Sequence, residues 1–543
     1  LVNTPRQSFA VVAAAGSLNL VVTGSPVTLD WSGGQTAWDV ATSSSWLNLG
    51  VSDVFHDDDA VRFTDGASAG TVTISTPVSP RSVLVQNSTA REFNMGGAAI
   101  AGDGMVTKSG TGNLTFTAAN TFSGGLRVEG GNVILGNATA NANGAGAGTV
   151  TLAGGVLRMF SAGNNTHAGT LPNPLHVESS GRLEVAPRCG FSGRVTGGGT
   201  LEYRTNYVRA DVTGDWSGFS GQLNVTTTGA GEFRIASSYA WAGLPQAAVN
   251  LASGVYFHMS GIVNSGPGTT IRIGALSGAA GSFLRGGPTG DRTLTYRIGE
   301  RGTDATFLGK IVEQGSTTTT VIVKTGAATW SLGGEAKHRG ETLVEAGTLR
   351  LLAGGVIDNA AAMSVASGAT FALDGGALTV ESLTIEQGGL FTSTGGTITG
   401  DLQLSGEASI TAGTLSIQGD VTNYGTLRVT SGARLEHSGI FTNHGILDLL
   451  TSDGQVPVNL VNHGIVIANT ERRILSATRD GNDFQLTITG HAGHSYQLQR
   501  APGLGGPWTP VGAAVAGNGS LLTLTDTGGA AATRGFYRVA VTP

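Results

Sequence analysis

Between Val421 and Ala468 the tripeptides Asn423-Tyr424-Gly425, Asn443-His444-Gly445 and Asn462-His463-Gly464 recur at spacings of 20 and 19 residues. Each leads into the same alternation: Leu427-Arg428-Val429, Leu447-Asp448-Leu449 and Val466-Ile467-Ala468. A period near 20 with strand-like alternation is the mark of a solenoid, here a parallel β-helix. Strand side chains alternate faces, so Val421, Asn423, Leu427 and Val429 are expected to point inward together. With coils about 4.8 Å apart, Asn423, Asn443 and Asn462 are expected to stack as an amide ladder, each donating to the carbonyl oxygen of the next. Gly425, Gly445 and Gly464 are expected to supply the positive φ that turns the coil. The other reading, Asn-x-Gly as surface turn chemistry, would leave the asparagines in water.

Composition agrees with many short strands. Of 543 residues 87 are Gly and 13% are charged, with Thr, Val and Leu filling the segments between glycines. No long segment carries a helical period, so the chain reads as all-β. A net charge of −6 leaves no basic face for nucleic acid. Cys189 is the one cysteine, so stability is expected from stacking and not from crosslinks, with Cys189 as a buried small side chain. Nothing approaches 18 consecutive apolar residues, so no transmembrane helix is expected. The chain starts at Leu1, which reads as a processed N-terminus with a signal peptide removed. Residues 1–29, with a Val-rich run from Val11 to Val22 broken by Gly16, read as an apolar arm or first strand. Such a strand either docks on its own domain or is offered to a neighbour's sheet edge.

From Trp31 distinctive motifs follow in order. They are Trp31-Ser32-Gly33-Gly34, Asp59-Ala60-Val61-Arg62-Phe63, Lys108-Ser109-Gly110-Thr111-Gly112-Asn113-Leu114, Asn120-Thr121-Phe122-Ser123-Gly124 and Gly131-Asn132-Val133-Ile134-Leu135. Residues 108–136 align without gaps on 324–352, sharing Lys108/Lys324, Gly110/Gly326, Gly124/Gly340, Gly131/Gly347 and Leu135/Leu351. This order resembles the autotransporter-associated β-strand repeat family over roughly residues 30–355. The resemblance implies a right-handed β-helix in a secreted or surface-exposed bacterial protein, many members having no known enzymatic activity. The membrane barrel that closes an autotransporter has no counterpart in these residues, so self-export is not implied.

After Glu471-Arg472-Arg473 the pattern changes. Phe484 to Ile488, Tyr496-Gln497-Leu498-Gln499-Arg500, Pro507-Trp508, Leu521 to Thr525 and Phe536-Tyr537-Arg538-Val539 predict about five short strands, a small β-sandwich. The expected organisation is an arm at 1–29, a repeat-bearing β-helix at 30–355, a regular short-coil β-helix at 356–474 and a sandwich at 475–543.

Chemical motifs are sparse. Gly66-Ala67-Ser68-Ala69-Gly70 matches a nucleophile elbow, but no strand-to-helix turn surrounds it. Asp57-Asp58-Asp59 could hold Ca²⁺ or form a solvated turn, and the turn is favoured. His444 and His463, with Tyr424, are expected as an exposed stack and not a metal site, since no third ligand is in register. Polysaccharide cleavage would need placed carboxylates, and none are in register from coil to coil. The reading is therefore non-enzymatic, with no catalytic, cofactor or metal residues. An extracellular structural protein, joining copies head to tail into a cell-surface fibre, is expected. The alternative is a monomeric adhesin binding glycan or a cell-surface ligand through exposed Tyr496 or Trp508.

Overall fold

A computed structural model describes residues 6–136, 143–159, 169–185, 189–205, 210–236, 243–259, 269–286, 293–315, 318–359, 361–532 and 534–543. The chain divides into two compact units, 1–330 with 336–339, and 331–335 with 340–543. Both are parallel β-solenoids, and helical turns among the described residues are short 3-10 segments such as Asn143–Ala145.

The first unit opens on a hairpin, Gln7–Ala14 paired antiparallel with Ser17–Gly24, which reverses at Gly16 with φ 79°. The expected single arm is thus a two-stranded ribbon, because Gly16 alone in the run can adopt the left-handed turn without strain. It is apolar and exposed: Leu18 is 77% and Val11 63% accessible. Arg6 fastens its base, donating to Asp53 (3.0 Å), Asp59 (3.2 Å) and the Val54 carbonyl (2.9 Å).

Parallel coils follow. Thr28–Trp31 pairs with Ala60–Thr64, that strand with Ser82–Gln86, and that in turn with Met105–Ser109. An open sheet edge invites foreign strands. Here Trp46–Asn48 pairs antiparallel with Thr28–Trp31, and Val51–Asp53 with Trp46–Asn48, closing that end. Beneath the cap Trp31, Trp38, Trp46, Phe55 and Phe63 are buried edge to face, with Trp31 to Trp46 at 5.0 Å and Trp38 to Phe55 at 5.5 Å. Farther on, Leu114, Val133, Leu157, Leu183, Tyr203 and Val225 stand in register across successive coils, each inaccessible to solvent. Coil lengths vary: register neighbours across coils are 20 residues apart at Arg182 and Glu202, 26 at Arg158 and Glu184, and 27 at Tyr256 and Phe283.

In the second unit Ala369–Ile385 and Leu390–Leu404 run side by side with irregular steps that bend them round the coil. Val421–Asn423 then pairs with Phe441–Asn443, and that strand with Leu460–Asn462. The C-terminal module holds two antiparallel sheets. One is Ile474–Asp480, Asp483–Gly490 and Ser520–Asp526; the other sets Ser495–Ala501 against Thr509–Pro510, Val515–Ala516 and Phe536–Thr542. Leu486, Ile488, Leu498, Leu522 and Leu524 form one core with Leu450 and Ile467 of the last coils. The module is therefore welded to the solenoid by shared apolar burial.

Candidate functional site

The asparagine series forms a hydrogen-bonded column. Asn423 Nδ2 donates to Asn443 Oδ1 at 2.8 Å, and Asn443 Nδ2 to Asn462 Oδ1 at 2.7 Å. Asn423 and Asn443 are fully buried, and their second amide hydrogens reach the carbonyls of Ile446 (3.0 Å) and Ile465 (3.1 Å). Asn462 takes its rung in register, but its coil is the last, so among the described residues nothing stacks on its far side and it is exposed. The glycines also act differently from expectation. Gly425, Gly445 and Gly464 do not adopt positive φ. Instead a Cβ on Gly425 would collide with the Gly406 carbonyl, on Gly445 with that of Gly425, and on Gly464 with that of Gly445. Close approach between coils, not local backbone twist, requires glycine there. Outside this column Tyr424, His444 and His463 stack in solvent, with ring centroids 4.8 and 5.0 Å apart.

The other candidates resolve into packing roles. Ser68 donates through its backbone N–H to the Ser32 carbonyl at 2.9 Å, and Gly33 presses on the Ser68-Ala69 backbone, so Gly66–Gly70 is a close-packed loop between coils. The three aspartates diverge. Asp57 accepts from the Ser79 N–H and Asp58 from Arg81, while buried Asp59 accepts from Arg6 and from the backbone N–H groups of Val27 and His56. Among the described residues no group of three or more His, Cys, Asp and Glu gathers as a metal site. Cys189 is buried. Tyr496, expected as an exposed ligand-binding aromatic, is 3% accessible and belongs to the module's core. Its hydroxyl accepts from the His491 N–H at 2.8 Å, and burial pushes its phenol up. The alternation Tyr496-x-Leu498 carried that signal, since both side chains share one face. Trp508 is half-buried with the Arg538 guanidinium 4.6 Å from its ring centre.

Two features were not anticipated. Lys108 and Lys324, two of four lysines in the chain, are fully buried. Lys108 Nζ donates to the carbonyls of Ser109 (2.5 Å) and Gly110 (3.2 Å), and Lys324 Nζ to those of Thr325 and Gly326 (both 2.9 Å). Burial pushes both ammonium groups down to about 8. The pattern Val106-x-Lys108 places the lysine on the core face, which was readable from strand parity. The second is Asp448. Alternation puts it on the outer face, where the module covers it to 2% side-chain exposure. Its Oδ2 accepts from Arg428 Nε at 2.8 Å and lies 2.8 Å from Nε2 of buried His494. Nearby, His491 Nε2 lies 3.1 Å from Glu471. Beside these pairs a cleft of about 640 Å³ opens between the module's His491–Gly493 turn and the outer face of the last coils, with Glu407 and Arg428 on its floor.

The two lysine-bearing segments decide the comparison with known proteins. Residues 106–135 and 322–351 match the family described as Passenger-associated-transport-repeat. Both segments are passenger-associated transport repeats. In each repeat the buried lysine stands two residues before a glycine of positive φ, Gly110 and Gly326, whose carbonyl it caps. The chain is also 26% identical over 250 residues to the uncharacterized lipoprotein YdeK of Escherichia coli (strain K12), covering 43% of this chain and 18% of that protein. It is 24% identical over 411 residues to the adhesin BmaC autotransporter of Brucella suis biovar 1 (strain 1330), covering 65% of this chain and 12% of that protein. The chain thus spans less than a fifth of the length of either relative. With the repeats, these likenesses support a surface-associated β-helical protein.

Proposed function

We propose that this chain is an extracellular structural protein of the cell surface whose copies join through the N-terminal hairpin. The observation that carries the reading is the exposed apolar ribbon, Gln7–Ala14 with Ser17–Gly24. A lone two-stranded sheet is marginal in water and gains stability from a further strand or an apolar face. The same chain offers one. The last coil's strands Leu460–Asn462 and Ile465–Ile467 have no pairing on their outer side among the described residues, with Val461 44% and neighbouring Val458 96% exposed. A contact of ribbon on last coil is heterologous and does not close, so it propagates as a filament. Sedimentation velocity and negative-stain electron microscopy test it, comparing the chain with Val11→Lys/Leu20→Lys, a facing pair in the ribbon. Concentration-dependent polymer from the parent and monomer from the variant are expected. A parent that stays monomeric at high concentration overturns the reading.

The likeness to an autotransporter adhesin favours a second reading, a surface adhesin acting without polymerisation. It predicts saturable attachment to cells or matrix by the Val11→Lys/Leu20→Lys variant as well as by the parent.

A further inference from the structure

Strand register sets the floor of the cleft beside the module. Glu407 lies next to Thr426 and Ser409 next to Arg428 on adjacent coils. Four polar side chains therefore form a two-by-two array, about 4.8 Å between coils and about 7 Å along the strand. Thr426 continues in register to Ile446, and Ile446 to Ile465, giving the array an apolar border. The cleft's volume of about 640 Å³ falls in the range of small-ligand sites.

The donors and acceptors of this array are not consumed by the fold. Arg428 uses Nε on Asp448; its two terminal nitrogens make no hydrogen bond among the described residues. Nη2 lies under the module's turn, where a Cβ on Gly493 would come within 2.9 Å of it, so glycine keeps the guanidinium accessible. Glu407 is exposed, and its carboxylate has no hydrogen-bond or ion-pair partner among the described residues. The cleft thus presents a carboxylate that accepts, a guanidinium edge that donates, two hydroxyls that do either, and isoleucine alongside. An anion would meet Glu407 and Glu471, and a simple cation would meet Arg428. A sugar suits the set: its hydroxyls donate and accept, its ring matches the array in scale, and its C–H face is apolar.

We propose that this cleft binds a neutral saccharide of one or two residues. The cleft belongs to the second unit and the hairpin to the first, so the proposal goes beyond assembly and stands or falls separately from it. The test titrates the full chain with cellobiose, maltose, lactose and N,N′-diacetylchitobiose, using saturation-transfer NMR and calorimetry. At least one disaccharide is expected to bind. Glu407→Gln, at an exposed position that leaves the fold intact, is expected to weaken it about tenfold or more. Ser409→Ala/Thr426→Val is expected to weaken it likewise, and Val11→Lys/Leu20→Lys to leave it unchanged. Binding of none of the four sugars overturns the proposal, as does binding undiminished in both cleft variants. Binding of glycine or lysine in place of the sugars overturns it too, since the array would then be a zwitterion site.

Discussion

The coils of the first unit and those between Leu390 and Ile467 in the second solve the same packing problem with different materials. In the first, coil length varies and large rings fill the interior: Trp216 meets Phe191 at 5.9 Å and Phe233 at 5.6 Å, and Phe233 stacks on Phe257 at 5.1 Å. In the second, 20- and 19-residue steps bring glycine over glycine and put an amide inside, where it is stable through its neighbours above and below. Bulky apolar filling tolerates changes in coil length because dispersion and water exclusion are non-directional. A buried amide column does not, because each rung must meet its hydrogen-bond partner.

That contrast can be broken most severely at the aromatic end. Trp46→Ala removes a fully buried ring that touches Trp31, Trp38 and Phe63. A loss of about 3–5 kcal/mol is expected in denaturant unfolding, with hydrogen exchange accelerated in residues 28–95 and unchanged in residues 421–467. In the amide column, Asn443→Leu strips a partner from both neighbours and is expected to cost about 2–3 kcal/mol. Leucine at all three positions, 423, 443 and 462, is expected to recover part of that loss, because no amide is then stranded. Equal stability of the single and triple variants would show that the column contributes shape and not hydrogen bonding.

Gly445→Ala drives a Cβ into the Gly425 carbonyl and is expected to cost about 1–3 kcal/mol, as overpacking does. Gly229→Ala in the first unit meets nothing within 4 Å and is expected to change stability by less than about 0.5 kcal/mol. The buried lysines give the first unit a pH signature. Lys108 and Lys324 fall to about 8 from an ordinary 10.5, so between these values the unfolded chain binds more protons than the folded one. Stability is then expected to rise from about pH 8 to pH 10.5. Urea midpoints across that range measure it, and Lys108→Met/Lys324→Met is expected to flatten the slope. Smallest is the surface pair Arg182 and Glu202, 2.7 Å apart and partly exposed, where Arg182→Ala is expected to cost less than about 1 kcal/mol.

How much of this was legible in the amino-acid order depends on the range of the cause. The solenoid, the inward face of Asn423 and Asn443 and the repeat at Lys108 and Lys324 follow from period and parity, which are local. The role of Gly445 does not: Asn-x-Gly advertises turn chemistry, while the constraint comes from a carbonyl 20 residues earlier in sequence. Tyr496 misled although a local signal, its shared parity with Leu498, was present. Its aromatic ring near Trp508 suggested a binding surface, but the ring fills the module's core and its hydroxyl caps the His491 N–H. Asp448 lies in register with Ser409 two coils earlier, yet the module buries Asp448 and leaves Ser409 and its strand neighbour Glu407 beside an open cleft. That difference is made by a later part of the chain and cannot be read from either coil.

Glycine over glycine from Gly406 to Gly464 has a genetic consequence. Each coil presents to the next the same small notch that it received, so a duplicated or deleted stretch of one coil length meets its neighbours without new side chains having to be invented. Slippage in the underlying DNA by that unit would then lengthen or shorten this part of the protein in whole steps, with the glycine notch kept at every junction.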